Sequence, residues 1–219
     1  RYRCSRGTNP VYENLHIQTM SLAFFKWALT NAYFANWIPL TIISYAVDYQ
    51  ISGLNPVMYH FTNIAFHALN TGLFYILSFE IFKAAYPEKK DVGWISCANT
   101  AALVAALLFG LHPLHVESVS WVSERKDVLS GFFFILGAIT YLNYALETRN
   151  RRFYYALTLL FFVLAVMSKP IVVSFPVALL ILDWYPLKRF QDVKGSFRRA
   201  KKAVIEKIPF ILASLACVV

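Results

Sequence analysis

The stretch GWISCANTAALVAALLFGL at residues 93–111 is predominantly apolar and contains no charged residue. A bilayer core about 30 Å thick is crossed by about 20 apolar helical residues, so this stretch predicts a membrane span. The polar stretch HPLHVESVSWVSERKD follows at residues 112–127, and a second apolar run covers residues 127–147. The alternation predicts two transmembrane helices joined by a segment rich in ionisable side chains.

The overall composition is that of an integral membrane protein with several spans. Of the 219 residues, 58% are hydrophobic and only 15% are charged, whereas soluble domains carry about 25% charged residues. The formal net charge is +9, but the basic residues lie between apolar runs, where membrane topology places them. This distribution argues against nucleic acid as a partner. The three dispersed cysteines offer neither a disulfide framework nor a zinc spacing.

Further apolar runs predict an all-α, polytopic helical bundle. The predicted spans cover residues 57–83, 93–111, 127–147, 153–168 and 170–184, and a sixth, incomplete span at residues 208–219. Residues 1–56 are predicted to form an extracytoplasmic loop with one or two interfacial helices, because tryptophan and tyrosine favour the headgroup region. The alternative for this region is one more span at about residues 32–51. Because the chain begins without methionine, we expect it to be a piece of a longer protein.

The basic residues predict the orientation of the bundle. Most of them fall in three connections, at about residues 83–90, 149–152 and 188–207. Alternation of the spans places all three on one side, and the positive-inside rule makes that side cytoplasmic. The last connection is most simply an amphipathic segment that touches anionic lipid. Residues 112–127 and Lys169 are therefore expected on the extracytoplasmic side.

The segment at residues 112–127 is the main candidate for a functional site, since ionisable groups at a membrane are costly to keep. Pro113 suits the first turn of a helix, and a continuous helix is predicted from there to residue 147. Three carboxylates would then lie nearly in line on one face: Glu117, Glu124 and Asp127. Such a stripe could bind a metal, act as a base, or pair with Arg125 and Lys126. The alternative is a solvated helix start held by local ion pairs.

Histidines provide further candidates. His112, His115 and Glu117 have no spacing that matches a known metal motif. We therefore predict no metal site, and the histidines would bond to phosphate or sugar hydroxyls or merely cap the span. A polar stripe on the span at residues 57–83 repeats every three or four positions: His60, Asn63, His67 and Asn70. It either lines a cavity or packs helices together through hydrogen bonds.

Lys169 is the one charged residue in a very short outer turn and is followed by Pro170. A cation in this position suits the phosphate of an anionic lipid. The alternative is a lysine whose stem lies along apolar surface while its ammonium group reaches the membrane interface.

Six short strings, taken in order, resemble the transmembrane and tetratricopeptide-repeat O-mannosyltransferase family, especially its bacterial members. The strings are WIPLT (37–41), GLNPVMYH (53–60), NIAFH (63–67), LHPLHVES (111–118), ERKDVLS (124–130) and SKP (168–170). The resemblance covers roughly residues 31–190. It implies the C-type glycosyltransferase fold, with tetratricopeptide repeats following the spans, and it favours the bacterial cell membrane over the endoplasmic reticulum.

The activity implied by the resemblance is transfer of a sugar, expected to be mannose, from a polyprenyl-phosphate donor to Ser or Thr hydroxyls of a protein acceptor. The reaction takes place on the extracytoplasmic side. The implied partners are membrane lipid, the lipid-linked donor and the protein acceptor; no cofactor is implied beyond the donor, and a divalent metal is an alternative. The family's acidic pair, in its first outer loop, has no counterpart before Asp48, where Glu13 stands alone. We expect that pair in a preceding segment.

The resemblance and the residues together assign expected roles. Cations would neutralise the lipid phosphate as it leaves: Arg125 and Lys169, with Lys126 behind them. The catalytic candidates are Glu117, Glu124 and Asp127, of which the two glutamates would orient acceptor, sugar or metal. The remaining substrate-binding candidates are His112, His115, His60, Asn63 and His67. The alternative function is a non-catalytic membrane anchor that carries tetratricopeptide repeats. A transporter is disfavoured, because only one span has a marked polar stripe.

Overall fold

A computed structural model describes residues 14–32, 36–146, 149–190, 201 and 203–218. Its α-helices are α1 (Leu22–Thr30), α2 (Pro39–Ser52), α3 (Pro56–Ala85), α4 (Val92–Gly110), α5 (His115–Ser120), α6 (Arg125–Leu146), α7 (Arg151–Ser168), α8 (Phe175–Trp184) and α9 (Ile208–Val218). Short 3-10 turns cover Leu15–Gln18, Val122–Glu124 and Pro170–Ser174. The predicted all-α helical bundle is confirmed.

Four of the described helical segments are long and apolar enough to cross a membrane: Pro56–Ala85, Val92–Gly110, Val122–Leu146 and Arg151–Ser168. The protein is therefore an integral membrane protein. The segment Pro170–Trp184 is apolar but shorter, and α2 has only 14 residues, fewer than the roughly 20 that a crossing takes. The division into an outer loop at residues 1–56 and a bundle at residues 57–219 stays a prediction.

Capping residues in the sequence fix where the long helices begin. Asn55 accepts a hydrogen bond from the backbone N–H of Val57, and Pro56 occupies the first helical position of α3. Asp91 caps α4 in the same way, with its Oδ2 2.9 Å from the backbone nitrogen of Trp94. Both caps satisfy backbone donors that the first turn of a helix leaves free.

Small residues let the helices approach one another closely. Ala98, Ala102 and Ala106 are buried at every fourth position of α4, as is common where membrane helices pack. A Cβ atom at Gly137 of α6 would lie only 2.9 Å from the ring of Phe175. Glycine at this position therefore lets α6 pack directly on the aromatic core that Phe175 builds with neighbouring side chains.

The helix predicted from residue 113 to 147 is broken, which corrects the sequence-based expectation. α5 ends at Ser120, Trp121 adopts extended backbone (φ −91°, ψ 122°), and α6 starts only at Arg125 after a 3-10 turn. Asn63 stabilises the break by donating to the backbone carbonyl of Trp121 at 3.0 Å. The hydroxyl of Tyr45 donates to the carbonyl of Val122 at 2.6 Å. The break thus depends on side chains from α2 and α3.

A buried ion network joins α6 and α8 to the residues just before α9, at the far end of the bundle from α5. The fully buried Asp183 accepts hydrogen bonds from the hydroxyl of Tyr141 at 2.7 Å and from Arg189 at 2.9 Å. Lys207 also donates to Asp183, and Arg189 bonds to Glu206 at 2.9 Å. Burial lowers the pKa of the Lys207 ammonium, an effect that Asp183 opposes.

The basic connection at residues 188–207 was expected to touch lipid. Two of its cations, Arg189 and Lys207, instead point inward into this network, because Asp183 offers a buried carboxylate that needs partners. Residues 191–200 and 202 of the connection lie outside the described residues.

Candidate functional site

A cavity of about 300 Å³ lies among α3, α5, α6 and the turn that follows α7. Its polar lining comes from elements far apart in sequence: His67, Asn70, His115, Ser118, Asp127, Ser130 and Lys169. Apolar side chains, among them Phe109, Phe134 and Ile171, complete the walls. The cavity is large enough for a small polar molecule and combines both signs of charge.

Lys169 and Asp127 form an ion pair at this cavity. Each side chain is about one quarter exposed, so neither is sealed off from a ligand. The second carboxylate oxygen of Asp127 accepts a hydrogen bond from Ser118 at 3.3 Å. Thr41 donates to the carbonyl of Ser168 at 3.0 Å and so holds the backbone beside Lys169. Lys169 therefore has a specific partner, which a lysine that merely marks the interface would not need.

Two of the predicted histidines, His67 and His115, meet at the cavity. Their ring centroids are 5.4 Å apart, and each ring bonds to a backbone carbonyl at the end of α4. His115 Nδ1 lies 2.8 Å from the oxygen of Phe109, and His67 Nε2 lies 2.9 Å from that of Gly110. A carbonyl oxygen only accepts, so these nitrogens carry the protons. In the neutral rings, His115 Nε2 and His67 Nδ1 are then acceptors.

Asn70 carries an unpaired buried acceptor beside the cavity. Its amide Nδ2 donates to the backbone oxygen of Val128 at 2.8 Å, but its Oδ1 is buried and has no hydrogen-bond partner among the residues that the structure describes. A buried polar atom without a partner costs about 1–3 kcal/mol. Gly131 leaves room for this amide, because a Cβ atom there would lie 3.3 Å from Asn70 Nδ2. A hydroxyl group bound in the cavity would satisfy the unpaired oxygen once the amide of Asn70 turns toward it, because the oxygen itself is buried.

Arg125 does not line the cavity, contrary to the expected role in binding phosphate. Its side chain is fully buried and pairs with Asp48. Its Nε donates to Asn63 at 2.9 Å, and its Nη2 donates to the carbonyl of Tyr59 at 2.8 Å. The guanidinium also lies over the ring of Tyr45, 4.9 Å from the centroid. All three nitrogens are thus engaged by protein acceptors, which is a structural role.

The break between α5 and α6 also separates the predicted carboxylate stripe. Glu117 is exposed on α5, and Glu124 forms a local ion pair with Lys126 at 3.1 Å. Neither glutamate lines the cavity, whereas Asp127 does. The local ion-pair alternative therefore describes Glu124 and Lys126, and Asp127 is the one catalytic candidate that the fold brings to the cavity.

The remaining predicted residues take other positions. His112 is exposed, and its Nδ1 accepts a hydrogen bond from the backbone N–H of Leu114 at 3.2 Å. This bond fits the alternative in which the histidine caps the end of the span and does not bind a ligand. His60 is exposed on α3. Asn63 belongs to the Arg125 network, so the polar stripe both packs helices, through Asn63, and lines a cavity, through His67 and Asn70.

Three residues of this region were missed as site residues by the sequence reasoning. Ser118 and Ser130 carry no signal that separates them from other serines. Asp48 did carry one, because a carboxylate within an apolar segment requires a buried partner. In the described part of the chain, no three His, Cys, Asp or Glu side chains are grouped closely enough to hold a metal ion, so the divalent-metal alternative has no ligand set there.

Curated proteins provide relatives for about half of the chain. A 126-residue segment is 32% identical to protein O-mannosyl-transferase TMTC4 of Mus musculus, covering 56% of this chain and 16% of that protein. A 106-residue segment is 36% identical to TMTC2 of Xenopus laevis, covering 48% and 11%. A 103-residue segment is 31% identical to TMTC3 of Homo sapiens, covering 47% and 10%. The chain is related to the TMTC protein O-mannosyl-transferases.

The resemblance to the TMTC family that six strings of the sequence predicted is thus confirmed. The matched segments span only about a tenth to a sixth of the length of these relatives. No family model matches the chain. No solved structure matches it, and the C-type glycosyltransferase fold therefore stays a prediction.

Proposed function

We propose that this cavity binds the head of a polyprenyl-phosphate mannose donor, and that the whole protein transfers the mannose to Ser or Thr hydroxyls of an acceptor protein. Transfer would take place on the extracytoplasmic side, where the charge pattern of the sequence puts Lys169. The proposal rests on the pairing of Lys169 with Asp127 inside a cavity that also holds an unpaired acceptor. The names of the TMTC relatives support the reaction class.

Lys169 is the cation for the leaving group. When the bond between the anomeric carbon and the phosphate oxygen breaks, the electron pair stays on that oxygen and negative charge develops there. An ammonium group held in place beforehand stabilises this charge without reorganising. The incoming phosphate would compete with Asp127 for Lys169, and the partial exposure of the pair leaves room for that exchange.

Asp127 is our candidate for the proton acceptor within this chain. The acceptor hydroxyl oxygen bonds to the anomeric carbon from the face opposite the phosphate, and its proton passes to a carboxylate. Once the donor phosphate has taken Lys169, the Asp127 carboxylate is released, and for this step it must turn to the face of the sugar opposite the phosphate. The alternative is the acidic pair that the resemblance implies elsewhere in the whole protein, in which case Asp127 only positions Lys169.

The uncharged groups of the cavity would bind the sugar. In the neutral rings, His67 Nδ1 and His115 Nε2 are acceptors, and Asn70 Oδ1 is a third acceptor; hydroxyl groups are suitable partners for all three. Mannose offers several hydroxyl donors, so one sugar can engage more than one of these atoms. This match between acceptors and hydroxyls favours a sugar over a purely anionic ligand.

The test is transfer of labelled mannose from polyprenyl phosphate to an acceptor protein by the whole protein in membranes. Loss of one charge-stabilising group costs about 10²–10³ in kcat, and we expect losses of that size for Lys169→Met and Asp127→Asn. Lys26→Met and Glu88→Gln are matched controls, since both side chains are exposed and lie outside the cavity. Full activity of Lys169→Met would refute the assignment, and an inactive wild type that still recruits partners would favour the anchor alternative.

A further inference from the structure

A second cavity, of about 670 Å³, lies among the end of α3, the start of α4 and the end of α6. Three lysines line it, Lys83, Lys89 and Lys90, together with a single carboxylate, Glu80. We call it the lysine cavity. Helix α3 rises about 1.5 Å per residue, so Lys83 lies about 20 Å along the helix from Asn70 and the first cavity. The two cavities are separate sites.

The lysine cavity has an excess of positive charge. Glu80 is taken by Lys83, whose Nζ lies 2.8 and 3.0 Å from the two carboxylate oxygens. Lys89 lies over the ring of Tyr86 at 5.6 Å, and no carboxylate in the described parts of the chain forms an ion pair with Lys89 or Lys90. Two flanking acids, Glu88 and Asp91, do not line the cavity, and Asp91 caps α4.

The walls of the lysine cavity are apolar and aromatic. The rings of Tyr86 and Trp94 meet edge to face, with centroids 6.0 Å apart, and aromatic residues of this kind mark the membrane interface. Ile95 and Leu146 extend the wall along α4 and α6. The cavity therefore combines lysine ammonium groups at its edge with an apolar wall that an acyl chain can contact.

We propose that the lysine cavity binds an anionic phospholipid. Its phosphate lies between Lys89 and Lys90, and an acyl chain lies along Ile95 and Leu146. Basic pockets between membrane helices on the cytoplasmic side recognise lipid headgroups in this way, and the charge pattern of the sequence places this end of the bundle there. A soluble phosphate would share the cationic rim but would leave the apolar wall unused.

The test uses fluorescence quenching by brominated lipids with the whole protein in vesicles. The sequence has five tryptophans, so the difference between wild type and Trp94→Phe isolates the signal from this cavity. We expect brominated phosphatidylglycerol to quench Trp94 more strongly than brominated phosphatidylcholine. A lysine near anionic lipid contributes about 1 kcal/mol, or about fivefold in affinity, so Lys89→Gln with Lys90→Gln should lower the preference about 25-fold.

A matched double variant distinguishes lipid binding at the lysine cavity from attraction of anionic lipid by the positive surface charge in general. Arg152→Gln with Lys188→Gln removes two exposed cations from the same end of the bundle but outside the lysine cavity, and we expect it to keep most of the preference. An equal loss in both double variants would overturn the proposal, as would equal quenching of wild type by the two lipids. Displacement of the lipid by glycerol 3-phosphate would show that the cavity takes a soluble phosphate instead. All four cations are exposed, so their loss leaves the fold intact.

Discussion

Arg125 at the start of α6 pairs with Asp48 of α2, 77 residues earlier in the chain. The other carboxylate oxygen of Asp48 accepts a hydrogen bond from Thr62 of α3 at 3.0 Å. The pair therefore ties three helices together. It also fixes the first turn of α6, two residues before Asp127, and so contributes to the geometry of the candidate site.

Removing Asp48 should destabilise the protein strongly. Asp48→Ala leaves the fully buried Arg125 without its counter-ion, and breaking one side of a buried pair costs about 3–5 kcal/mol. Chemical unfolding in detergent would measure the change in the free energy of unfolding. Glu88→Ala removes an exposed carboxylate and is the control with little effect. The double variant Asp48→Leu with Arg125→Met should recover stability, and failure of Asp48→Ala to differ from Glu88→Ala would contradict the buried network.

The same substitution at two asparagines of α3 should have different effects on stability. Asn70→Leu removes a buried acceptor that has no partner among the described residues, but it also removes the donor to the carbonyl of Val128, so we expect the two effects to offset and the free energy of unfolding to change little. Asn63→Leu leaves Arg125 Nε and the carbonyl of Trp121 without their partner and should lower it by about 1–3 kcal/mol.

Mannose transfer supplies the second readout for Asn70. If its Oδ1 accepts a hydrogen bond from the sugar, Asn70→Leu should lower kcat/KM by about tenfold, as loss of one hydrogen bond of about 1.4 kcal/mol predicts. A variant that is stable and fully active would show that the unpaired oxygen has no role in binding.

The ion pair between Asp127 and Lys169 should matter for activity and little for stability. Both side chains are about one quarter exposed, and exposed pairs contribute about 0.2–1 kcal/mol. A double-mutant cycle with Asp127→Asn and Lys169→Met, followed by chemical unfolding, would measure that coupling. A coupling energy above about 2 kcal/mol would indicate that the pair is mainly structural.

The buried network around Asp183 should stabilise the bundle without contributing to the donor site. Asp183→Ala leaves the buried Lys207 and Tyr141 without their shared acceptor, and we expect a loss of about 3–5 kcal/mol in the free energy of unfolding. The KM for the donor should stay unchanged in the fraction that folds. A large rise in KM would show that the Asp183 network influences donor binding in the first cavity.

Part of the candidate site could be predicted from the sequence. His67, His115, Asp127 and Lys169 were all singled out because polar groups in a membrane protein need a reason to be there, and the fold brings them to one cavity. Glu117 and Glu124 do not line it, because the helix that would align them with Asp127 is broken at Trp121, where the sequence has neither proline nor glycine. Asn63 and Tyr45 stabilise that break from other helices.

The sequence by itself determined that this is an all-α membrane protein related to the TMTC family, because the length of an apolar run and the order of short strings are local properties. Only the tertiary structure decided that Arg125 would be buried against Asp48 and that Asp127, rather than Glu117 or Glu124, would face Lys169. These pairings join residues 77 and 42 positions apart. They follow from how the helices pack, which local patterns do not specify.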